Sequence, residues 1–163
     1  MDRTCDVNSN VVALPVGSDY FAVDGERPVL AEPGIYELRY SHYETARLHG
    51  GRAGKVVVWF TICTMGPYFE RNVPAYYNAT VTSAKRQRGG KFKIGWRSRL
   101  MREFALVEGL PSRTDRVSLN VLGRHLLEGR LGTVTHDGQQ RSIPSAVQYS
   151  VVQAIVGVKA RGH

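Results

Sequence analysis

The chain has no apolar run longer than five residues, Val56-Val57-Val58-Trp59-Phe60. A membrane-spanning helix needs about 20 consecutive apolar residues, so none is expected. The opening Met1-Asp2-Arg3 leads into no apolar stretch of the secretory type, which argues for a soluble, cytoplasmic protein without a membrane partner. Cysteine is scarce: Cys5 and Cys63 stand far apart with no C-x-x-C spacing, the pattern of reduced thiols rather than of a structural zinc site. The histidines (His42, His49, His125, His136 and His163) form no H-E-x-x-H or other paired-ligand spacing, so neither a metal nor any other cofactor is expected.

Signatures of catalysis are missing as well. There is no G-x-S-x-G, Walker loop or dinucleotide fingerprint, and Ser98, Ser118 and Cys63 have no apparent partnering base. A metal-dependent nuclease needs clustered carboxylates. Here Glu70, Glu103, Glu108, Asp115, Glu128 and Asp137 are scattered singly. The best catalytic constellation is His42-x-Glu44 with Glu37, and one His with one Glu reads more simply as a surface pair. The chain is therefore expected not to be an enzyme.

Acidic residues are also depleted from most of the chain. The 163 residues carry 22 Lys and Arg against 14 Asp and Glu, a formal charge of +8. Residues 1–54 hold five basic and eight acidic side chains, net −3, whereas residues 55–163 hold 17 and six, net +11. Lys85, Arg86, Arg88, Lys91, Lys93, Arg97, Arg99 and Arg102 fall within 18 positions that contain no acid. Such density is costly through self-repulsion unless an anion binds there, although a solvated basic loop is the simpler alternative.

What is abundant is strand-forming residues: 20 Val against 12 Leu, with Val, Ile and Thr totalling 34. Residues 1–33 read as an irregular N-terminal extension with short strands at Asn10 to Leu14 and Tyr20 to Val23, broken by turn signals. From Ile35 to Thr45 the chain alternates, with Tyr36, Leu38 and Tyr40 on one face. Gly50-Gly51 fits a hairpin into a second strand, Lys55 to Met65. A third strand, Phe69 to Val81, contains Pro74, which belongs on an edge because it donates no ladder hydrogen bond. After a basic loop over 83–93, Trp96, Leu100, Phe104 and Val107 have the spacing of a helix lying on a core. A fourth strand spans His125 to Thr135. The last, Ala146 to Val158, is apolar on both faces as a central strand would be.

This β-β-β-α-β-β order resembles the OB-fold, a five-stranded, partly open Greek-key barrel. Lys55-Val-Val-Val-Trp-Phe-Thr-Ile62 followed by Gly89-Gly-Lys-Phe-Lys93 is similar to single-stranded DNA-binding proteins of the phage and plasmid type. The expected class is mainly β, with the OB-fold-like nucleic-acid-binding domain over 34–158 and a basic tail over 159–163. The resemblance implies a protein that coats single-stranded DNA with little sequence preference during replication or recombination of a mobile element. The ending Val158-Lys-Ala-Arg-Gly-His163 departs from the acidic tail by which bacterial single-stranded DNA-binding proteins recruit partners.

A single-strand groove needs cations along the phosphates and flat aromatic faces for the bases, each stacked base contributing about 1–3 kcal/mol. Trp59 is the leading platform, because Val56, Val58 and Phe60 claim the core face. Its alternative is packing beneath the N-terminal extension. Tyr43 and Tyr76 are further aromatic candidates, and packing or exposure without a base is the alternative for each. The cation candidates are Lys55, Arg71, Lys85, Arg86, Arg88, Lys91, Lys93, Arg97 and Arg99. Trp96 and Phe104 are assigned to the core. RNA binding uses the same physics, and a basic module that grips an acidic protein, as an inhibitor or adaptor, is the remaining alternative. Homo-oligomerisation and replication or recombination partners are left open.

Overall fold

Period-two alternation produces a meander of three strands, β1 (Gly34–Arg47), β2 (Ala53–Ile62) and β3 (Asn72–Val81). A two-residue strand β4 (Phe92–Lys93), the helix α1 (Arg99–Glu108), β5 (Leu126–Val134) and β6 (Tyr149–Ala160) follow. The computed structural model describes residues 25–47, 53–82 and 92–162. All neighbouring strands are antiparallel, in the order β4-β3-β2-β1-β5-β6. The fold is mainly β, as composition implies, but it is one open sheet of six strands rather than a closed barrel of five.

One face of the sheet builds the core. Leu38 and Tyr40, Val56, Val58, Phe60 and Ile62, Val73, Ala75 and Tyr77, Leu127 and Leu131, and Val152 and Ile155 are all buried on it. Burying each large apolar side chain contributes about 1.5–3 kcal/mol, which favours this register over a one-residue slip that would expose the whole set. Leu100, Met101, Phe104 and Val107 of α1 join the same cluster, as do Leu119 and Leu122 from a 3-10 turn at Leu119–Arg124. Val29 and Ala31, from the segment before β1, are buried with them.

Three elements differ from their sequence reading. Trp96 is 60% exposed rather than in the core. The reason is local: Ser98 is the N-cap, its Oγ accepting from Met101 N at 3.2 Å, so Trp96 precedes the helix and the i, i+4 spacing never forms. β2 ends at Ile62, where the chain turns through residues 64–70 with Glu70 at φ 63°. β6 lies at one end of the hydrogen-bond order rather than in the middle of the sheet. Its two apolar faces come from enclosure by α1 and by β3, whose edge curls alongside it. Pro74 does lie on an open edge, since β4 pairs with β3 only at Thr80 and Val81.

The seam between β3 and β6 is bridged by side chains. Arg99 donates to Gln153 O at 2.7 Å and to Val152 O and Tyr76 O at 3.4 Å, satisfying carbonyls from both strands. Its guanidinium lies 4.4 Å above the Tyr77 ring centre, a cation–π contact, and its Nε is 3.3 Å from Glu103 Oε1. Tyr77 Oη donates to Glu103 Oε2 at 2.5 Å. Glu103 is only 8% exposed. Burial raises its carboxyl above the ordinary value of 4.5, against the opposing pull of Tyr77 and Arg99. Burial, then the Glu103 charge, raises the Tyr77 hydroxyl as well.

Residues 159–162, read from the sequence as part of a basic tail, are docked. Lys159 Nζ is 3.7 Å from Glu37 Oε1, Arg161 donates to Val107 O at 2.7 Å, and Gly162 N donates to His125 Nδ1 at 3.2 Å. His125 Nε2 contacts Glu108 Oε1, so one buried imidazole joins the end of α1 to the start of β5 and the end of the described chain.

Arg99→Ala removes the charge partner of a buried carboxylate and should cost about 2–4 kcal/mol in denaturant unfolding. Glu103→Gln, which still accepts from Tyr77, should cost less. Because the folded carboxyl has a raised pKa, its contribution to stability is greatest below the unfolded value of 4.5 and is lost as pH rises through the folded value. Melting temperatures should therefore shift in favour of Glu103→Gln as pH rises from about 4 to 7; a constant difference would count against this assignment.

Candidate functional site

The face of β1–β3 turned away from the core carries polar and aromatic side chains in register. His42 pairs with Trp59, and Trp59 with Pro74; Glu44 pairs with Val57, and Val57 with Tyr76; Ala46 pairs with Lys55, and Lys55 with Asn78. Lys93 of β4 lies opposite Thr80 and extends the same face. Lys55 Nζ donates to Asn78 Oδ1 across the strands.

A β-bulge between Tyr40 and His42 decides which β1 side chains join this face. The extra residue, Ser41, reverses the alternation, as bulges do. His42 thereby comes to lie over Trp59, their ring centres 6.1 Å apart and their planes 19° apart. Tyr43 goes the other way: it pairs with Val58 on the core face and is 49% exposed where β1 runs past β5. The sequence therefore placed Tyr43 on the wrong face and missed His42 as the partner of Trp59. Nothing in the alternating pattern announces a bulge at a serine.

Trp59 faces outward and is half-buried. It lines a cleft of about 390 Å³ whose other walls are Tyr76, Arg71, Asn72, Pro74, His42 and Glu44 from the sheet, Glu26 to Val29 from the preceding segment, and Tyr149 and Ser150 of β6. Both sequence-based roles for Trp59 thus meet in one place, an outward ring that the N-terminal segment partly encloses. That segment is tied down on both sides. Arg71 donates to Arg27 O at 2.9 Å, Ser150 N donates to Val29 O at 2.7 Å, and Ala31 N donates to Ser150 Oγ at 2.8 Å. Val29 and Ala31 act as apolar anchors for it, a role that a reading of residues 1–33 as an irregular extension did not assign.

The charges in the cleft are balanced. Arg27 and Arg71 face Glu26 and Glu44, and His42 Nε2 lies 3.7 Å from Glu44 Oε1 in an exposed pair. Glu37, grouped with these two by sequence, is bound to Lys159 instead. Tyr76 is 41% exposed; burial, then Tyr149 and Glu44, push its hydroxyl up to about 12, so it remains a hydrogen-bond donor at neutral pH. Among the described residues no group of three or more His, Cys, Asp or Glu side chains could hold a metal ion.

The cation candidates divide by what they touch. Trp59, Tyr76 and Arg71 meet in the cleft, with Lys55 and Lys93 further along the same face. Arg97 is exposed in the turn before α1. Arg99 is committed to the β3–β6 seam and is not a groove cation. Lys85, Arg86, Arg88 and Lys91 lie outside the described residues. The Trp59 Nε1 donor is enclosed, and among the described residues it meets no acceptor. No helix among the described residues is long and apolar enough to cross a membrane.

The chain matches no protein-family model, no curated protein and no solved structure, so its site is read from its own geometry.

Lys93 and Arg97 make no hydrogen bond or ion pair with described residues, so Lys93→Ala and Arg97→Ala should each change unfolding stability by less than about 0.5 kcal/mol. The much larger loss expected at Arg99, measured beside them, separates a structural cation from surface ones within the same basic run.

Proposed function

We propose that this chain is a non-catalytic, OB-fold-like protein that binds single-stranded DNA along the outer face of β1–β3, coating it in replication or recombination. The observation that carries the reading is the Trp59–His42 stack beside the exposed Tyr76, on a face that also holds Lys55, Arg71 and Lys93. Unstacked bases need aromatic faces of this kind, and the phosphates between them need cations. The excess of positive charge after residue 54 supplies the long-range attraction. Element order supports the fold reading: a three-strand meander, a helix, and two further strands of which the last returns beside the third. RNA offers the same phosphates and bases, and it enters as a competitor in the test.

The experiment is a titration of fluorescently labelled oligo-dT, with unlabelled duplex DNA and RNA as competitors, at several salt concentrations. A few neutralised phosphates give a slope of log K against log salt of roughly −2 to −4 for a single strand, and single strands should compete better than duplex. Affinity that does not respond to salt would remove the electrostatic groove. Failure to bind any oligonucleotide at low salt would point instead to an acidic protein as the partner of the basic surface.

A further inference from the structure

The cleft at Trp59 contains a donor with nothing to donate to. An indole Nε1–H can only donate, and enclosing it without a partner is unfavourable. Yet Trp59 Nε1 is enclosed and meets no acceptor among the described residues. The ring that carries it is stacked on His42 and lines an opening of about 390 Å³, within the roughly 300–1,000 Å³ of small-molecule sites.

The character of the walls selects the occupant. Two arginines, Arg27 and Arg71, oppose two carboxylates, Glu26 and Glu44. Their formal charges cancel, so the cleft offers an anion no net attraction and suits a neutral group better than a phosphate. Trp59, Pro74 and Tyr76 provide flat surfaces. The polar groups are complementary in kind: an unused N–H donor on Trp59, and on Glu44 a carboxylate acceptor held by a strand. A flat ring that presents a carbonyl beside an N–H answers both.

We propose that the cleft seats one base of a bound strand by its keto-imide edge, the carbonyl-and-N–H edge of thymine, uracil or guanine. Trp59 Nε1–H donates to the base carbonyl and the Glu44 carboxylate accepts the ring N–H. Adenine lacks the carbonyl, and cytosine lacks the ring N–H. This inference rests on the single-strand reading above and adds to it one base-selective position within an otherwise sequence-tolerant footprint.

Labelled oligo-dT, oligo-dC and oligo-dA of equal length are titrated against the native protein. Oligo-dT should bind about tenfold more tightly than the other two, the discrimination expected when a buried donor is satisfied by one base and not by another. An oligo-dT carrying N3-methylthymine, which removes the ring N–H without altering the protein, should lose about the same factor. Trp59→Phe keeps a ring but deletes the donor, and should narrow the dT-to-dA ratio to within about threefold while the salt dependence persists. Equal affinity for the three oligonucleotides, full affinity for the methylated strand, or a folded Trp59→Phe protein with an unchanged ratio would each overturn the pocket assignment alone. No binding to any strand at low salt would overturn it together with the single-strand reading.

Discussion

Arg99 holds together the two edges on which the rest of the structure depends. A curled sheet that does not close leaves backbone carbonyls facing each other across a gap, and unpaired edges are unfavourable when enclosed. Here one guanidinium reaches carbonyls on both β3 and β6 while Glu103 and the Tyr77 ring take up its charge. The planar, multidentate shape of arginine makes this possible; a lysine could supply the charge but not the fork. Leu100, Met101 and Phe104, on the helix that begins with Arg99, fill the space behind the seam.

The seam and the cleft share a residue. Tyr76 gives its carbonyl to Arg99 and its side chain to the cleft wall. The position of that exposed ring is therefore linked to core packing through a single backbone unit. On the other side of the cleft, Val29 and Ala31 are buried in the core while Arg27, two residues earlier, is held by Arg71. The cleft thus lies between a strand face and a segment that are each anchored in the same core, which favours a preformed site over one assembled on binding.

The charges of the chain do different work in different places. The basic run after residue 84 looks uniform as sequence, yet Arg99 is spent on structure while Lys93 and Arg97 face solvent. The cleft itself is balanced between arginine and carboxylate. Long-range attraction of an anionic strand and local recognition of a neutral base are thereby separated: surface cations away from the cleft provide the first, and flat rings with unmatched polar groups the second. Electrostatic attraction of the first kind is screened by salt, whereas hydrogen bonds inside an enclosed cleft are much less so.

Sequence alone determined the strand-rich class, the meander of β1 to β3, the single helix before the last two long strands and the outward direction of Trp59. All of these follow from periods of two and 3.6 in local burial. Only the tertiary structure decided the remainder. The bulge at Ser41 exchanged Tyr43 for His42 on the outer face, because one inserted residue inverts every later side chain of a strand. The N-cap at Ser98 released Trp96 to solvent. The apolar faces of β6 reflect enclosure by α1 and the returning edge of β3, a contact between residues some 75 positions apart. Arg99 became a seam rather than a groove residue for the same reason: a charge acquires its role from the carbonyls and rings that folding brings to it, and those come from parts of the chain that no local period connects.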